Sequence, residues 1–298
     1  MNCAAAFDFV KLDEELKPKD YKSNVKPIWC PGCGDFGVLN GIYRALAELK
    51  VDPHHLVNIS GIGCSSRTPY FIQGYKMHTL HGRAAPVATG TQLARPDLLT
   101  MVTGGDGDGF SIGGGHMPHV ARKNVNMTYI LMDNQIYGLT KGQVSPTSRK
   151  EMKAYTTPYG GVEEPMEPIL YMLTYGATYV AQGFAGNPKQ CAELIKGALE
   201  HKGFSFVNIL SQCPTFNKLD TVKYYRTIVK DLPEDHDPCN LDAAFHIVNS
   251  YRDDGTTPIG LMYQVQRPTL DDNMAALVEK VGGHKDYDLN KIIDLKKP

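Results

Sequence analysis

A chain of 298 residues has room for one large α/β domain with an extension, or for two small domains. Hydrophobic residues at 42% and charged residues at 21% are ordinary for a soluble globular protein. A formal net charge of −1 gives no global field towards nucleic acid or an anionic membrane, and no apolar run approaches the ~20 residues that span a bilayer.

Residues 1–29 mix charge with Pro18 and Pro27, show no sustained period, and are expected to form an N-terminal arm. They lack a basic segment followed by a long apolar core, so no secretory signal is read there and a cytoplasmic location is expected. In that compartment the cysteines, Cys3, Cys30, Cys33, Cys64, Cys191, Cys213 and Cys239, are expected to be free thiols. From Asp35, a candidate N-cap, Val38, Leu39, Ile42, Leu46 and Leu49 fall on one helical face. "HLVNISGIGC" reads as a buried strand ending in glycine, and "RAAPVATGTQLA" as a small-residue helix. "DLLTMVTGGDGDG" is a second strand, "GGGHMPHVARK" contains a helix, and "NMTYILMDN" is a third strand. "EPILYMLTYG" is helical, "ATYVAQGF" is a strand, "NPKQCAELIKGALEH" is an amphipathic helix, and "FSFVNILSQC" is a last strand. Buried strands alternating with helices predict an α/β, doubly wound, mainly parallel sheet over 30–217. Residues 218–298 read as a C-terminal extension that wraps the domain or touches a partner.

Ligands of such sheets bind beyond the carboxyl ends of the strands. The strands end at Cys64, Asp106, Asn134 and Cys213, so the unusual residues collect along one edge. Asp106 and Asn134 are 28 positions apart, one helix plus one strand. A hard cation such as Mg²⁺ takes oxygen ligands, which Asp106, Asn134 and the carbonyl of Ile136 can supply. Glycines let backbone N–H groups approach a diphosphate, and a helix N-terminus adds a favourable dipole. A GDG followed about one βα unit later by asparagine resembles the thiamine diphosphate enzymes. Their motif usually ends in two asparagines, where this chain has Asp133-Asn134. "GIGCSS" is not a dinucleotide fingerprint: Ser66 replaces the third glycine, and no strand-end acid follows at the expected distance.

Cys30 and Cys33 form a CxxC before a helix, as in a thioredoxin-like site, but "SNVKPIW" makes a poor strand to precede one. A four-thiolate site also uses Cys64 and Cys213. Ligand type alone leaves Zn²⁺ and an iron–sulfur cluster open.

The run "CPGCG…GIGC…HTLHGRA…GGDGDG…DNQIYGLTKGQ…CPT" resembles the β subunit of 2-oxoacid:ferredoxin oxidoreductases, most closely the 2-oxoglutarate branch, over about 29–217. The resemblance implies a [4Fe–4S] cluster on Cys30, Cys33, Cys64 and Cys213, thiamine diphosphate with Mg²⁺, coenzyme A as co-substrate, and ferredoxin as electron acceptor. It implies oxidative decarboxylation of a 2-oxoacid, best 2-oxoglutarate to succinyl-CoA. Pyruvate or branched-chain acids, or a non-redox thiamine carboligase or decarboxylase with structural zinc, are the alternatives. It also implies a separate α subunit that bears the pyrimidine-binding domain, in an αβ heterodimer or its dimer. The residues after the phosphate domain are too few for a second doubly wound domain.

Gly63, Cys64, His81, Gly105, Asp106, Gly107, Asp108, Asn134, Ile136, Gly138, Leu139 and Thr140 are the expected cofactor contacts. Arg67 is a candidate for the substrate carboxylate or for a plain ion pair. His116 is a candidate for diphosphate or substrate, or for a capping role. Leu139 offers an apolar wall to the methylenes of a longer acid. His78 and Arg83 line the cofactor or make structural bonds, and Lys141 and Gln143 join Thr140 as phosphate donors or sit on a solvated loop. Cys191 reads as core packing.

Overall fold

The computed structural model describes residues 6–283 and 289–297. Its centre is a single eight-stranded sheet. The strands are β1 (Leu56–Ser60), β2 (Tyr75–His78), β3 (Leu99–Gly105), β4 (Met127–Asp133), β5 (Tyr179–Phe184), β6 (Phe204–Leu210), β7 (Val229–Asp231) and β8 (Thr257–Gln264). Their order is β2-β1-β3-β4-β6-β5-β8-β7. All neighbours are parallel except β5 and β8. The helices are α1 (Asp35–Glu48), α2 (Ala84–Ala94), α3 (Met117–Lys123), α4 (Pro168–Thr174), α5 (Pro188–Glu200), α6 (Val222–Ile228), α7 (Leu241–Asp253), α8 (Leu270–Lys280) and α9 (Leu289–Asp294).

The five strands expected from apolar runs are all present. β1, β4, β5 and β6 are buried along their whole length, because helices cover both faces of the sheet. α1 and α5 pack on one face with Val38, Ile42, Leu46, Ile195 and Leu199. α2, α3, α4 and α7 pack on the other, around Phe110, Met117, Met172 and Phe206. The approach of α1 is close: a methyl group on Gly37 would lie 2.1 Å from the Ala185 carbonyl oxygen. The arm is stitched to this layer, with Tyr21 fully buried and its hydroxyl donating to the Val51 carbonyl at 2.6 Å.

Three strands escaped the sequence pattern. β2 is an edge strand with every residue exposed, so it carries no apolar signal. β7 and β8 belong to the segment read as an extension. β8 contains Pro258 and Gly260, yet it pairs with β5 and continues the main sheet. No helix among the described residues is long and apolar enough to cross a membrane.

β1 leads outward to β2, whereas β3 and β4 are added on the opposite side of β1. The sheet therefore reverses direction between β1 and β3, which opens a crevice beyond their carboxyl ends.

Asn124 closes α3 in the left-handed region at φ 51°. Its Oδ1 accepts from Thr178 Oγ1 and the Phe204 N–H, both at 2.8 Å, and its Nδ2 donates to the Arg267 and Pro268 carbonyls at 3.1 Å. Asn124→Ala should cost about 3 kcal/mol in chemical unfolding, because buried partners lose their bonds. Asn124→Gly, which relieves only the backbone, should recover about 1 kcal/mol of that.

Candidate functional site

β3 and β4 end side by side, Gly105 against Met132, so the residues that follow them are brought together. With the turn after β1 they enclose a cavity of about 160 Å³ lined by residues 62–65, His81, 105–108, Asn134 and 136–140. All the expected cofactor contacts lie on this wall. A separate cavity of about 310 Å³ is lined by Asp133 and Thr147 among others, and has neither the thiols nor the glycine turn.

The glycine turn is needed for packing. Residues 107–112 leave β3 as a π-helical turn, and a methyl group on Gly107 would lie 2.1 Å from the Tyr137 ring. Asp106 and Asp133 are both buried, at 1% and 2% exposure. The Thr147 hydroxyl lies 2.8 Å from Asp106 Oδ2 and 2.8 Å from Asp133 Oδ1, and it can donate to only one at a time. Burial lifts both carboxyls above the usual carboxylate range, and the charge of Asp106 adds to the rise at Asp133. Asn134 follows directly. Its Oδ1 accepts the Ile136 N–H at 3.0 Å, and its carbonyl accepts from Asn217 Nδ2 at 3.0 Å.

Asp108 does something the sequence pattern does not announce. It lines the cavity, but its Oδ1 accepts from the Ile62 N–H (2.9 Å) and the Gly82 N–H (2.7 Å), and bonds His81 Nδ1 (2.8 Å). One carboxylate oxygen thus fastens the β1 turn and the His81 loop to the glycine turn. His78 is bonded to Ser60 and to the Ser66 carbonyl, and Arg83 donates to the Gly82 and Ile112 carbonyls. Both are structural bonds. Thr140 and Gln143 bond each other, and Lys141 is exposed at φ 77°.

Two of the four candidate thiols, Cys64 and Cys213, come together over Gly138, and among the described residues no group of three or more His, Cys, Asp or Glu side chains is gathered closely enough to hold a metal ion. A methyl group on Gly138 would lie 3.5 Å from Cys213 Sγ, 3.7 Å from Cys64 Sγ and 3.8 Å from Asn134 Nδ2. Trp29 Nε1 donates to the Cys64 carbonyl at 2.7 Å, which holds the CxxC loop to the β1 turn. The Gly34 N–H donates to the Gln212 carbonyl at 3.0 Å and Gln212 Nε2 to the Gly32 carbonyl at 3.0 Å, which holds it to the β6 turn. Cys30 is exposed, and Cys33, Cys64 and Cys213 are half-buried. Burial and nearby Asp35 push Cys64 up to about 11 and Cys33 higher still. Asp35 is the first residue of α1, not its cap. Buried, its carboxyl is raised to about 6 and accepts from Ser211 Oγ at 2.7 Å.

Cys191 is core, as expected, with no exposure. Cys239 is disulfide-bonded, against the expectation of free thiols throughout, and Cys3 lies outside the described residues. Arg67 is half-buried close to Cys64, and His116 is the N-cap residue of α3; neither lines the cavity. Burial and the charge of Arg83 hold His116 below the usual histidine range.

Comparison with known proteins agrees with this geometry. Residues 61–209 match the family model of the thiamine pyrophosphate enzyme C-terminal TPP binding domain. Residues 213–279 match the model for the C-terminal part of the pyruvate ferredoxin oxidoreductase β chain. A 2-oxoacid:ferredoxin oxidoreductase β subunit of Aeropyrum pernix is 48% identical over 221 residues, which cover 74% of this chain and 72% of that one. The chain belongs to the β subunits of the 2-oxoacid:ferredoxin oxidoreductases. Within this family, the 2-oxoglutarate synthase subunit KorB of Methanocaldococcus jannaschii is 37% identical over 260 residues, covering 85% of this chain and 93% of its own. The 2-oxoglutarate:ferredoxin oxidoreductase of Magnetococcus marinus, solved with 2-oxoglutarate, coenzyme A and succinyl-CoA bound, superposes with a TM-score of 0.93. It is 67% identical, and the match covers 99% of this chain and 100% of that one. For this β subunit, then, the match beginning at residue 61 takes in the three turns of the cavity but leaves out the CxxC loop.

Thr147 and Tyr137 were not singled out from the sequence. Thr147 stands in the hydroxyl-rich "SPTS", whose run of small donors is the one available signal. Asp108→Ala should strand three donors at the cavity rim and lower the unfolding free energy by at least about 3 kcal/mol. Asp108→Asn keeps an acceptor in place and should lose less than half as much in the same denaturant titration.

Proposed function

We propose that this chain is the thiamine diphosphate- and cluster-bearing subunit of a CoA-acylating enzyme that converts 2-oxoglutarate to succinyl-CoA, reversibly, and passes the electrons to ferredoxin in the cytoplasm. The observation that carries the reading is the meeting over Gly138 of the Cys64 and Cys213 thiols with Asn134, within the wall of the glycine-turn cavity.

In donor type, the residues suit the groups the family implies. Asp106, Asn134 Oδ1 and the Ile136 carbonyl form an oxygen donor set for Mg²⁺. Two buried carboxyls with one shared hydroxyl are a place where a cation relieves repulsion. Gly105 and Gly107 leave backbone N–H groups open to a diphosphate. Cys30, Cys33, Cys64 and Cys213 offer four sulfurs, a donor set for zinc or for an iron–sulfur unit. Zinc has no redox chemistry, so an enzyme that reduces ferredoxin has use only for the second. Thiamine diphosphate supplies the nucleophilic carbon and electron sink for decarboxylation when bound, and the cluster supplies one-electron acceptance.

The chain's own residues position and select. Arg67 pairs with a substrate carboxylate, and Leu139, 41% exposed on the cavity wall, covers the methylenes of a longer acid. His116, kept below the usual histidine range by burial and Arg83, stands outside the cavity wall and acts as donor or acceptor only to a substrate that extends beyond it. The raised Cys33 and Cys64 thiols stay protonated in the free chain, so ligation must release protons, and loading weakens as pH falls. An α subunit supplies the pyrimidine side of the site, consistent with the β-subunit names of the relatives. The pyruvate branch is the second reading, favoured by the description of the family model that residues 213–279 match.

Anaerobically purified complex should be brown, with about four iron atoms per chain. Cys33→Ser should remove the colour and ferredoxin reduction; full ferredoxin activity in that variant would refute the ligand set. Asp106→Ala should abolish Mg²⁺-dependent binding of thiamine diphosphate in calorimetry and leave the iron content intact. With a viologen acceptor, kcat/KM should be highest for 2-oxoglutarate in a panel of 2-oxoacids; a maximum for pyruvate selects the second reading.

A further inference from the structure

We propose that the hairpin of residues 150–162 is the docking element for the partner subunit, and that docking acts on the metal end of the cofactor site through Thr147. The inference deepens the proposed function, since it rests on a second chain completing the cavity.

Tyr155, Tyr159 and Val162 are 90%, 96% and 87% exposed, the largest apolar exposures in this part of the molecule. Side chains of that size gain nothing for the isolated fold in such positions, and clustered exposure marks a surface that is covered elsewhere. The hairpin is built, not loose. Ala154 and Thr157 bond each other in both directions, and the Glu151 N–H donates to the Gly161 carbonyl at 2.8 Å. The Gly161 N–H donates back to the Met152 carbonyl at 3.0 Å, and Met152 is buried at the base. Gly160 at φ 108° makes the return, packed against the Glu151 backbone. A fixed turn that presents two tyrosines loses little freedom on binding, as interface anchors require.

Charge chooses the occupant. Lys150 pairs with Glu164, and Lys153 is offset in the same segment by Glu151 and Glu163, so the hairpin has no bias towards an acidic or a basic partner. A transient electron carrier is steered by charge and leaves through a small polar contact, whereas a permanent subunit is held by aromatic and apolar anchors. The root of the hairpin points the same way. Thr147 spans Asp106 and Asp133, Ser148 Oγ donates to the Gln135 carbonyl at 2.6 Å, and Arg149 pairs with Asp220. Whatever seats on the tyrosines therefore acts, through this root, on the hydroxyl between the two buried carboxyls, of which Asp106 lines the cavity. By linkage, the partner then tightens cofactor binding by the same factor as the cofactor tightens the partner.

The test is the Tyr155→Ser/Tyr159→Ser double variant, titrated with the α subunit. Its unfolding midpoint and iron content should match the wild type, while Kd for the α subunit rises at least about 30-fold. In the wild type, Mg²⁺ with thiamine diphosphate should lower that Kd, and Thr147→Val should remove the dependence. A Kd for the double variant within about threefold of wild type overturns the docking element, as does loss of self-association or of ferredoxin turnover with α binding intact. Full cofactor dependence in Thr147→Val overturns the link to the metal end. Wild-type protein whose affinity for thiamine diphosphate ignores the α subunit overturns the proposed two-chain site itself.

Discussion

Two acids buried side by side set the terms for this molecule. Asp106 and Asp133 close neighbouring parallel strands, so the sheet itself fixes their separation. What stands between them is a threonine hydroxyl and not a basic side chain. Ionised together they would repel strongly in a medium of low dielectric, and burial lifts both carboxyls above the usual carboxylate range. A cation bound at this spot would convert a liability of the fold into binding energy.

Around that pair the turns are organised by a few directed bonds, not by bulk packing. Asp108 gathers two loops onto the glycine turn, and Trp29 and Gln212 pin the CxxC loop to two other turns. Each tie joins segments distant in the chain, which is why the loops that carry Cys30, Cys64 and Cys213 are held to one another at one edge of the sheet. The helices beneath supply rigidity, with α1 lying so close that Gly37 touches the Ala185 carbonyl.

The sheet was legible wherever burial on both faces left an uninterrupted apolar run, as in β4 and β6. It was not legible at β2, which is exposed, nor at β8, where half-buried positions and Gly260 break the pattern. The site was legible where chemistry is written in residue type: cysteines at strand ends, an acid and an amide one βα unit apart. Thr147 was missed because its role depends on a loop folding back over the strand ends, which no local period records. Asp108 was read as a cofactor contact along with its neighbours, and it does line the cavity; the backbone amides of Ile62 and Gly82 show a second use, for its Oδ1, that residue type does not announce.

The antiparallel pairing of β8 with β5 bears on how the chain can be cut and how it is made. β5 is buried throughout, from Tyr179 to Phe184, and β8 is what covers its outer edge. A fragment stopping after Cys213 would retain every site thiol and the whole cavity, yet leave that edge open to strand exchange with other copies. During synthesis the same edge waits until β8 has emerged, well after β5 itself, so aggregation competes with the arrival of that last neighbour.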